Sequence, residues 1–453
     1  MNSDPSNSQL STLNSQLSIP LRLIYSCAIG FYAAAVRVAA ISNSKARLLA
    51  AGWRGWRSKT PFDRLQGRVA WFHASSLGEF EQARPVMELF RNSHPDFKIC
   101  LTFFSPSGYE IRKDYNGADL VCYLPPDTRR NARSLVTLMH PDVAFFVKYD
   151  FWFNYLKNLS DRHIPTFIFS AIFRPRQYFF RWYGHWFAKQ LLCYRHIFVQ
   201  NTESAKLLEN IGISNVSVTG DTRYDRVTAI AANAKPIPAI ERFLEHSDNQ
   251  TIKQSNNLKV LVAGSTWEPD ERNIKAFLDR YDKPLRVILA PHMIGEEHLH
   301  YIEHLFGKEN CIRFSRIEHS SIQAFEHSSI LIIDNIGMLS AIYRYATVAY
   351  IGGGFGKGIH NILEATAYNI PVCFGPNHHK FQEANDMIAA GAARSYEDTD
   401  TLTAILSEWL CDGETYSKAC LACRKTMSAA GGSAQSIMDE IEKNIYPQEL
   451  RRQ

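Results

Sequence analysis

From Val69 onward the chain repeats one pattern: a short apolar run, a polar turn, then a stretch of helical periodicity. The runs RVAWFHA, KICLTFF, LVCYL, DVAFFVKY, IPTFIFSA, HIFVQN and VSVTG read as strands. Between them, GEFEQARPVMELFRNS and TESAKLLENIG place apolar residues at helical spacing. Strands that are apolar on both faces and alternate with helices predict a parallel sheet covered on both sides. The pattern dissolves over 231–257, a polar stretch broken by Pro. It restarts with the strands LKVLVAGS, LRVILAPH, SSILIID, TVAYIGGG and IPVCFG, and with the helical segments EPDERNIKAFLDRY and HNILEATAY. The expectation is two Rossmann-like, doubly wound α/β domains, 46–230 and 258–425, joined by a linker at 231–257 and followed by a helical tail at 426–453. Ligands of such sheets bind at the carboxyl edges of the strands. The expected active site is therefore a central cleft faced by both edges.

Upstream, the patterning differs. Residues 1–18 are polar, with the pentad NSQLS at 7–11 and again at 14–18, and predict a disordered leader. Residues 19–45 contain an uninterrupted apolar run from Leu23 to Val36, bracketed by Arg22 and Arg37. A bilayer-spanning helix needs about 20 residues, so this run predicts a helix anchored at the membrane surface or shallowly inserted. The stretch KARLLAAGWRGWRSK follows, cationic and Trp-containing, and suits an anionic cytoplasmic leaflet.

Charge sharpens this division. The whole chain of 453 residues carries a net charge of +5. Residues 1–60 hold Arg22, Arg37, Lys45, Arg47, Arg54, Arg57 and Lys59 against Asp4 alone, so the positive charge is an N-terminal property. The remainder is near neutral, which argues against a nucleic-acid partner. The nine Cys are scattered and odd in number, as in a reduced cytoplasmic chain; Cys420 and Cys423 form a lone C-x-x-C with no second metal-binding pair.

Chemistry concentrates at predicted strand ends. In YIGGGFGKGIHNILE, five glycines, 352, 353, 354, 356 and 358, follow a strand and precede a helix. Such a loop lets backbone N–H groups reach a phosphate, and a helix starting at His360–Asn361 adds its dipole. The spacing fits neither a dinucleotide fingerprint nor a Walker A loop. Glu364, on the first turn of that helix, suits sugar hydroxyls or a capping role. Ser265 and Thr266 close the first strand of the second domain, where phosphate and sugar contacts are expected. In HASSLGEFE, Glu79 opens a helix at the edge of the first sheet and fits either a general base or an N-terminal helix carboxylate. Ser75, Ser76 and Gly78 beside it offer donors and room. Lys148 and Asp150 end a strand that should be buried, so each is either paired or functional. Arg174 and Arg176 belong to a basic, aromatic stretch suited to an anionic lipid or to packing. No metal-ligand spacing stands out.

Together, HASSLGE, VTGDTRYD, AGSTWEPDE, IDNIGMLSAIYRYATVAYIGGGFGKGIHNILEA and VCFGPNHHKFQEA resemble the bacterial 3-deoxy-D-manno-octulosonic acid (Kdo) transferases of lipid A assembly. The resemblance runs in order from about Leu23 to Ala393. It implies a GT-B glycosyltransferase on the cytoplasmic face of the inner membrane, working without a metal or other cofactor. Such an enzyme moves Kdo from CMP-Kdo to a lipid A precursor, lipid IVA, with inversion. Glu79 falls on the family's catalytic base and Asp150 on its second acidic position. Gly353, Gly354, His360, Asn361 and Glu364 fall on the CMP-sugar block. Two departures stand out. Lys148-Tyr149-Asp150-Phe151-Trp152-Phe153 replaces the usual Glu-Thr-Glu-x-Trp-Pro, and Pro291-His292-Met293 replaces Pro-Arg-His, placing His292 at a donor-contact position. The alternatives are a GT-B transferase using a UDP-sugar on another lipid, and an inactive membrane-bound sugar-binding homologue.

Overall fold

The computed structural model describes residues 5–245, 258–319 and 328–442, with side chains from residue 21 onward. The chain divides into two compact units. The first is Met1–Arg226 with Gly432–Gln453, and the second is Val227–Gly431.

The first unit is built on seven parallel strands: β1 (Arg68–Ala74), β2 (Phe97–Phe103), β3 (Leu120–Tyr123), β4 (Val143–Val147), β5 (Thr166–Ala171), β6 (His196–Val199) and β7 (Val216–Val218). Their spatial order is β3-β2-β1-β4-β5-β6-β7. All seven coincide with the apolar runs read from the sequence. Alternate residues serve opposite faces: Val69 and Trp71 enter one core cluster, and Ala70, Phe72 and Ala74 enter the other. That two-sided burial explains why the strands read as continuous apolar runs.

The second unit repeats the design with β8 (Lys259–Thr266), β9 (Leu285–Pro291), β10 (Cys311–Arg313), β11 (Ile330–Ile332), β12 (Val348–Ile351), β13 (Val372–Phe374) and β14 (Ala393–Ser395). The order is β10-β11-β9-β8-β12-β13-β14, again all parallel. Both sheets are therefore Rossmann-like, as expected. Each reverses its strand order once, between β1 and β4 in the first and between β8 and β12 in the second. A doubly wound sheet opens a crevice at that switch point.

The boundaries differ from the expected ones in three places. The first helix begins at Pro5 and runs unbroken to Ala39, taking in the supposedly disordered leader. Leu10, Leu13 and Leu17 stand there at helical spacing, and no Gly interrupts them before Gly30. The helix Arg223–Asn233 runs into the start of the linker, and the helix Pro238–Glu245 lies within it. Pro238 starts the second, a position where a missing N–H costs nothing. Ile240 and Phe243 from it are fully buried, so this part is structural. Residues 246–257 of the expected linker lie outside the described residues. Finally, the tail is not a separate helical extension. Ser433–Glu440 rejoins the first unit, where Ala434, Ile437 and Met438 enter its core. Asp225 caps that helix, accepting from the backbone N–H of Gly432 at 2.6 Å and Ala434 at 2.8 Å.

Candidate active site

At the switch point of the first sheet, β1 ends at Ala74 and Ser76 becomes the N-cap of the helix Leu77–Ser93. Ser76 and Glu79 have the spacing of a capping box. Here, however, the Ser76 hydroxyl donates to Glu79 Oε2 instead of accepting a backbone N–H. Glu79 is thus oriented by its neighbour and stays half-exposed. Gly78 is exposed, and a Cβ added to it would meet only Ser76 Oγ, at 3.7 Å. Packing does not require that glycine; its effect is to leave space beside the carboxylate.

The neighbouring strand β4 ends at Val147. Lys148 follows with φ 59°, a left-handed conformation that a residue with a long side chain adopts rarely. Its ammonium lies over the Tyr149 ring and has no carboxylate partner among the described residues. Asp150 is buried and held by Ser75: the hydroxyl donates to Oδ1 and the backbone N–H to Oδ2 at 3.3 Å. Burial pushes the Asp150 carboxyl up to about 8; the negative charge of Glu79 adds to this and the Ser75 hydrogen bonds oppose it. At neutral pH Asp150 therefore keeps its proton.

Behind this pair stands a histidine that sequence reading passed over. His73 is fully buried, and its Nε2 accepts from Trp152 Nε1 at 3.0 Å. Since indole only donates, the imidazole proton is on Nδ1, which donates to the Thr102 carbonyl at 3.0 Å. Burial pushes His73 down to about 3, so it is neutral. The signal for both residues was present, His73 within HASSLGE and Trp152 two residues after Asp150, but their pairing crosses 79 positions.

Arg174 reaches this group through charge: the Tyr149 phenol, raised chiefly by burial, is lowered by Arg174 and Arg223 and raised by Glu79 and Asp221. Arg176 lies exposed on the same loop, and no described contact brings it to Glu79. Trp182, further along, is 93% exposed. The TGDTRYD motif is a structural knot. Asp221 holds Arg223 at 2.8 Å and accepts from Gln82 at 2.9 Å, and Arg226 pairs with Glu81 at 2.7 Å.

The second sheet carries the glycine loop at its own switch point. The ends of β8 and β12 approach so closely that a Cβ on Gly352 would lie 2.2 Å from the Ser265 carbonyl oxygen. Ser265 itself has φ 55° and Gly353 φ 90°. Asp270 is the strut of this region. Its carboxylate accepts from the N–H groups of Gly353 at 2.9 Å and Trp267 at 3.0 Å, and from the Tyr350 hydroxyl at 2.7 Å. The loop also closes on itself, Gly356 N–H to Gly353 O at 3.0 Å and His360 N–H to Gly352 O at 3.1 Å. The Gly353 amide is thus committed internally. The N–H groups of Gly354, Phe355, Lys357 and Gly358 have no protein partner among the described residues. Successive free amides of this kind form an anion nest. Phe355, Lys357 and Gly358 line a cavity of about 490 Å³ together with Trp267, Asp270 and His360 among others.

The other expected donor residues divide. Thr266 is buried and its hydroxyl donates to Glu271 at 3.0 Å, a structural use. His292 stacks on Trp267, with centroids 4.5 Å apart, and lies tilted against His360, at 4.7 Å. Asn361 Nδ2 donates to Glu364 at 3.0 Å, and Asn361 Oδ1 accepts the Leu363 N–H at 3.1 Å. The expected helix starting at His360–Asn361 is shorter than the sequence suggested: it spans only Leu363–Thr366. Asn369, at φ 59°, and Pro371 end the segment. One turn has little dipole, so the unpartnered donors at this strand end are loop amides and not a helix terminus. No cluster of metal-ligating side chains occurs among the described residues.

The N-terminal helix contributes a third feature. Leu21–Ala39 is long and apolar enough to cross a membrane, and only 11% of it is buried. One stripe is fixed to the first unit. Arg22 Nε donates to Asn154 at 3.0 Å, Tyr25 to Asp127 at 2.7 Å, and Ser26 accepts from Asn154 at 3.1 Å. Ala33 packs with Leu49, Trp53 and Tyr123. The other side presents Leu23, Ile24, Phe31 and Val38 to the outside.

Two Rossmann-like sheets, each with polar chemistry at its switch point, define a GT-B-like fold. Solved structures share this fold. UDP-GlcNAc 2-epimerase from Neisseria meningitidis is 16% identical with a TM-score of 0.59, covering 83% of this chain and 100% of its own. Acinetobacter baumannii MurG is 12% identical with a TM-score of 0.52, covering 83% and 99%. Residues 49–226 match the family model described as 3-deoxy-D-manno-octulosonic-acid transferase (kdotransferase). The 3-deoxy-D-manno-octulosonic acid transferase of Haemophilus influenzae is 23% identical over 391 residues, 82% of this chain and 87% of that protein. The Bordetella pertussis transferase is 24% identical over 394 residues, 82% and 86%. Over most of its length the chain is thus similar to the Kdo transferases.

Proposed function

We propose that the chain transfers Kdo from CMP-Kdo to a lipid A precursor, lipid IVA, with inversion, in lipopolysaccharide biosynthesis. The observation that carries this reading is Glu79: in a chain similar to these transferases, a carboxylate oriented by Ser76 stands open at the switch point of the first sheet. Glu79 takes the proton of an acceptor hydroxyl as the oxygen bonds to the anomeric carbon of Kdo. The bond from that carbon to the phosphate oxygen breaks in the same step, and CMP leaves as a phosphate monoester. The free amides of the glycine loop and the His360 side chain receive its charge. Asp150 is a positioning acid. Protonated behind Ser75, it keeps a second negative charge away from Glu79. Arg174 and Lys148 supply cations on the acceptor side. The exposed face of the N-terminal helix, with the basic segment after it, rests on the cytoplasmic leaflet of the inner membrane, where the acceptor lies.

The test is donor choice. Purified full-length protein is given lipid IVA with radiolabelled CMP-Kdo or with labelled UDP-sugars. Label should move from CMP-Kdo alone; movement only from a UDP-sugar overturns the reading.

A further inference from the structure

Trp267 was not among the residues the sequence singled out, yet the cavity is organised around it. Its backbone N–H is tied to Asp270, the same carboxylate that holds Gly353. Its indole Nε1 donates to His360 Nε2 at 3.3 Å. Indole has a donor and no acceptor, so the His360 nitrogen facing it bears the lone pair and the ring proton is on Nδ1. Two further contacts fix the imidazole. His292 packs against both rings, stacked on the indole and tilted against the imidazole. Gly353 lies so close beneath that a Cβ there would meet His360 Cδ2 at 3.0 Å and Nε2 at 3.3 Å. His360 Nδ1 has no protein partner among the described residues, and the residue lines the cavity beside the free amides. That N–H is left for a ligand.

We propose that Trp267 is a positioning residue for His360: its indole N–H selects the tautomer in which Nδ1 carries the proton, so that His360 meets the phosphate of the departing nucleotide as a neutral hydrogen-bond donor. The proposal rests on reading this cavity as the CMP-Kdo site. Burial and the nearby His292 push His360 below its ordinary value, in keeping with a ring that donates without carrying charge.

Trp267→Phe keeps the ring and removes the donor. Losing the bond to the neutral form raises the affinity of Nε2 for a proton. Two readouts test this on the full-length protein in detergent. First, long-range ¹H–¹⁵N spectra of ¹⁵N-histidine-labelled protein, with His360→Asn to assign the signals, should show the Nδ1–H tautomer at His360 without any ligand. Second, the acid side of the pH profile of kcat/KM for CMP-Kdo should show, besides the limb of the base Glu79, a second acid limb that His360→Asn removes. Trp267→Phe should move that limb up by about half to one pH unit and lower kcat/KM roughly 3- to 10-fold, the effect of one hydrogen bond. An Nε2–H tautomer in the parent protein overturns the proposal, and so does an unchanged limb in a folded Trp267→Phe. If that variant does not fold, the parent tautomer decides. Failure of the parent to use CMP-Kdo would overturn the functional reading instead, while the tautomer remains readable.

Discussion

Replacing Asp150 with Asn isolates what its proton does. Asp150 has a folded-state value of about 8 against an ordinary 3.8. A raised acid pKa means that the native state binds more protons than the unfolded chain between those values. Stability therefore falls as pH rises from about 4 to 8. At pH 7 the shift corresponds to about 4 kcal/mol of destabilisation as an upper bound, three units at 1.36 kcal/mol each. Asn mimics the protonated acid. Its carbonyl can accept the Ser75 N–H and its amide can donate to the Ser75 hydroxyl, so both contacts survive. The variant should be more stable than the parent by about 2 to 4 kcal/mol at pH 7, a rise of several degrees in melting temperature for a unit of this size. The gap should close as pH falls towards 4. Thermal denaturation of both proteins from pH 4 to 8 checks this, with activity measured alongside. As a positioning acid, Asp150 should be replaceable at a cost of no more than about tenfold in turnover, less than a general base contributes. An Asp150→Asn protein that melts lower than the parent at pH 7, or whose advantage does not vary with pH, refutes the reasoning.

Three other outcomes are expected. Glu79→Gln should lose about 100-fold or more in transfer while retaining CMP-Kdo binding by calorimetry, because a base is removed and the fold is not. Gly352→Ala should lower the melting temperature and weaken CMP binding, since its Cβ would sit 2.2 Å from the Ser265 carbonyl oxygen and must spread β8 from β12. Ile24→Asp with Phe31→Asp should release the protein from anionic vesicles in a flotation assay without changing its circular dichroism, because both side chains are exposed, at 64% and 75%.

The sequence made the sheets legible because parallel strands buried on both faces must be apolar throughout. Six strands of the first unit declared themselves in that way; β7, with Ser217 at its centre and Val218 exposed, did so by its flanking turn alone. Cys311–Arg313 and Ala393–Ser395 did not: each has three residues at a sheet edge, too few to show a period. The site was legible where residues are close in sequence and at strand ends, as in Ser75, Ser76 and Glu79. It was illegible where the chemistry depends on partners far along the chain. Nothing local marks His73 as the acceptor for Trp152, or Asp270 as the strut that takes the Gly353 amide. The return of Ser433–Glu440 to the first unit was hidden for the same reason: its apolar residues fit any core, and only the Asp225 cap and the cluster around Ile437 decide which.

The most direct measurement is the mass of the lipid product. Purified protein incubated with CMP-Kdo and lipid IVA should yield a lipid heavier by one or more Kdo residues, with CMP released in equal amount, and the Glu79→Gln variant should leave the acceptor mass unchanged. An acceptor that keeps its mass with the intact protein, or gains Kdo equally well without the Glu79 carboxylate, would contradict the account.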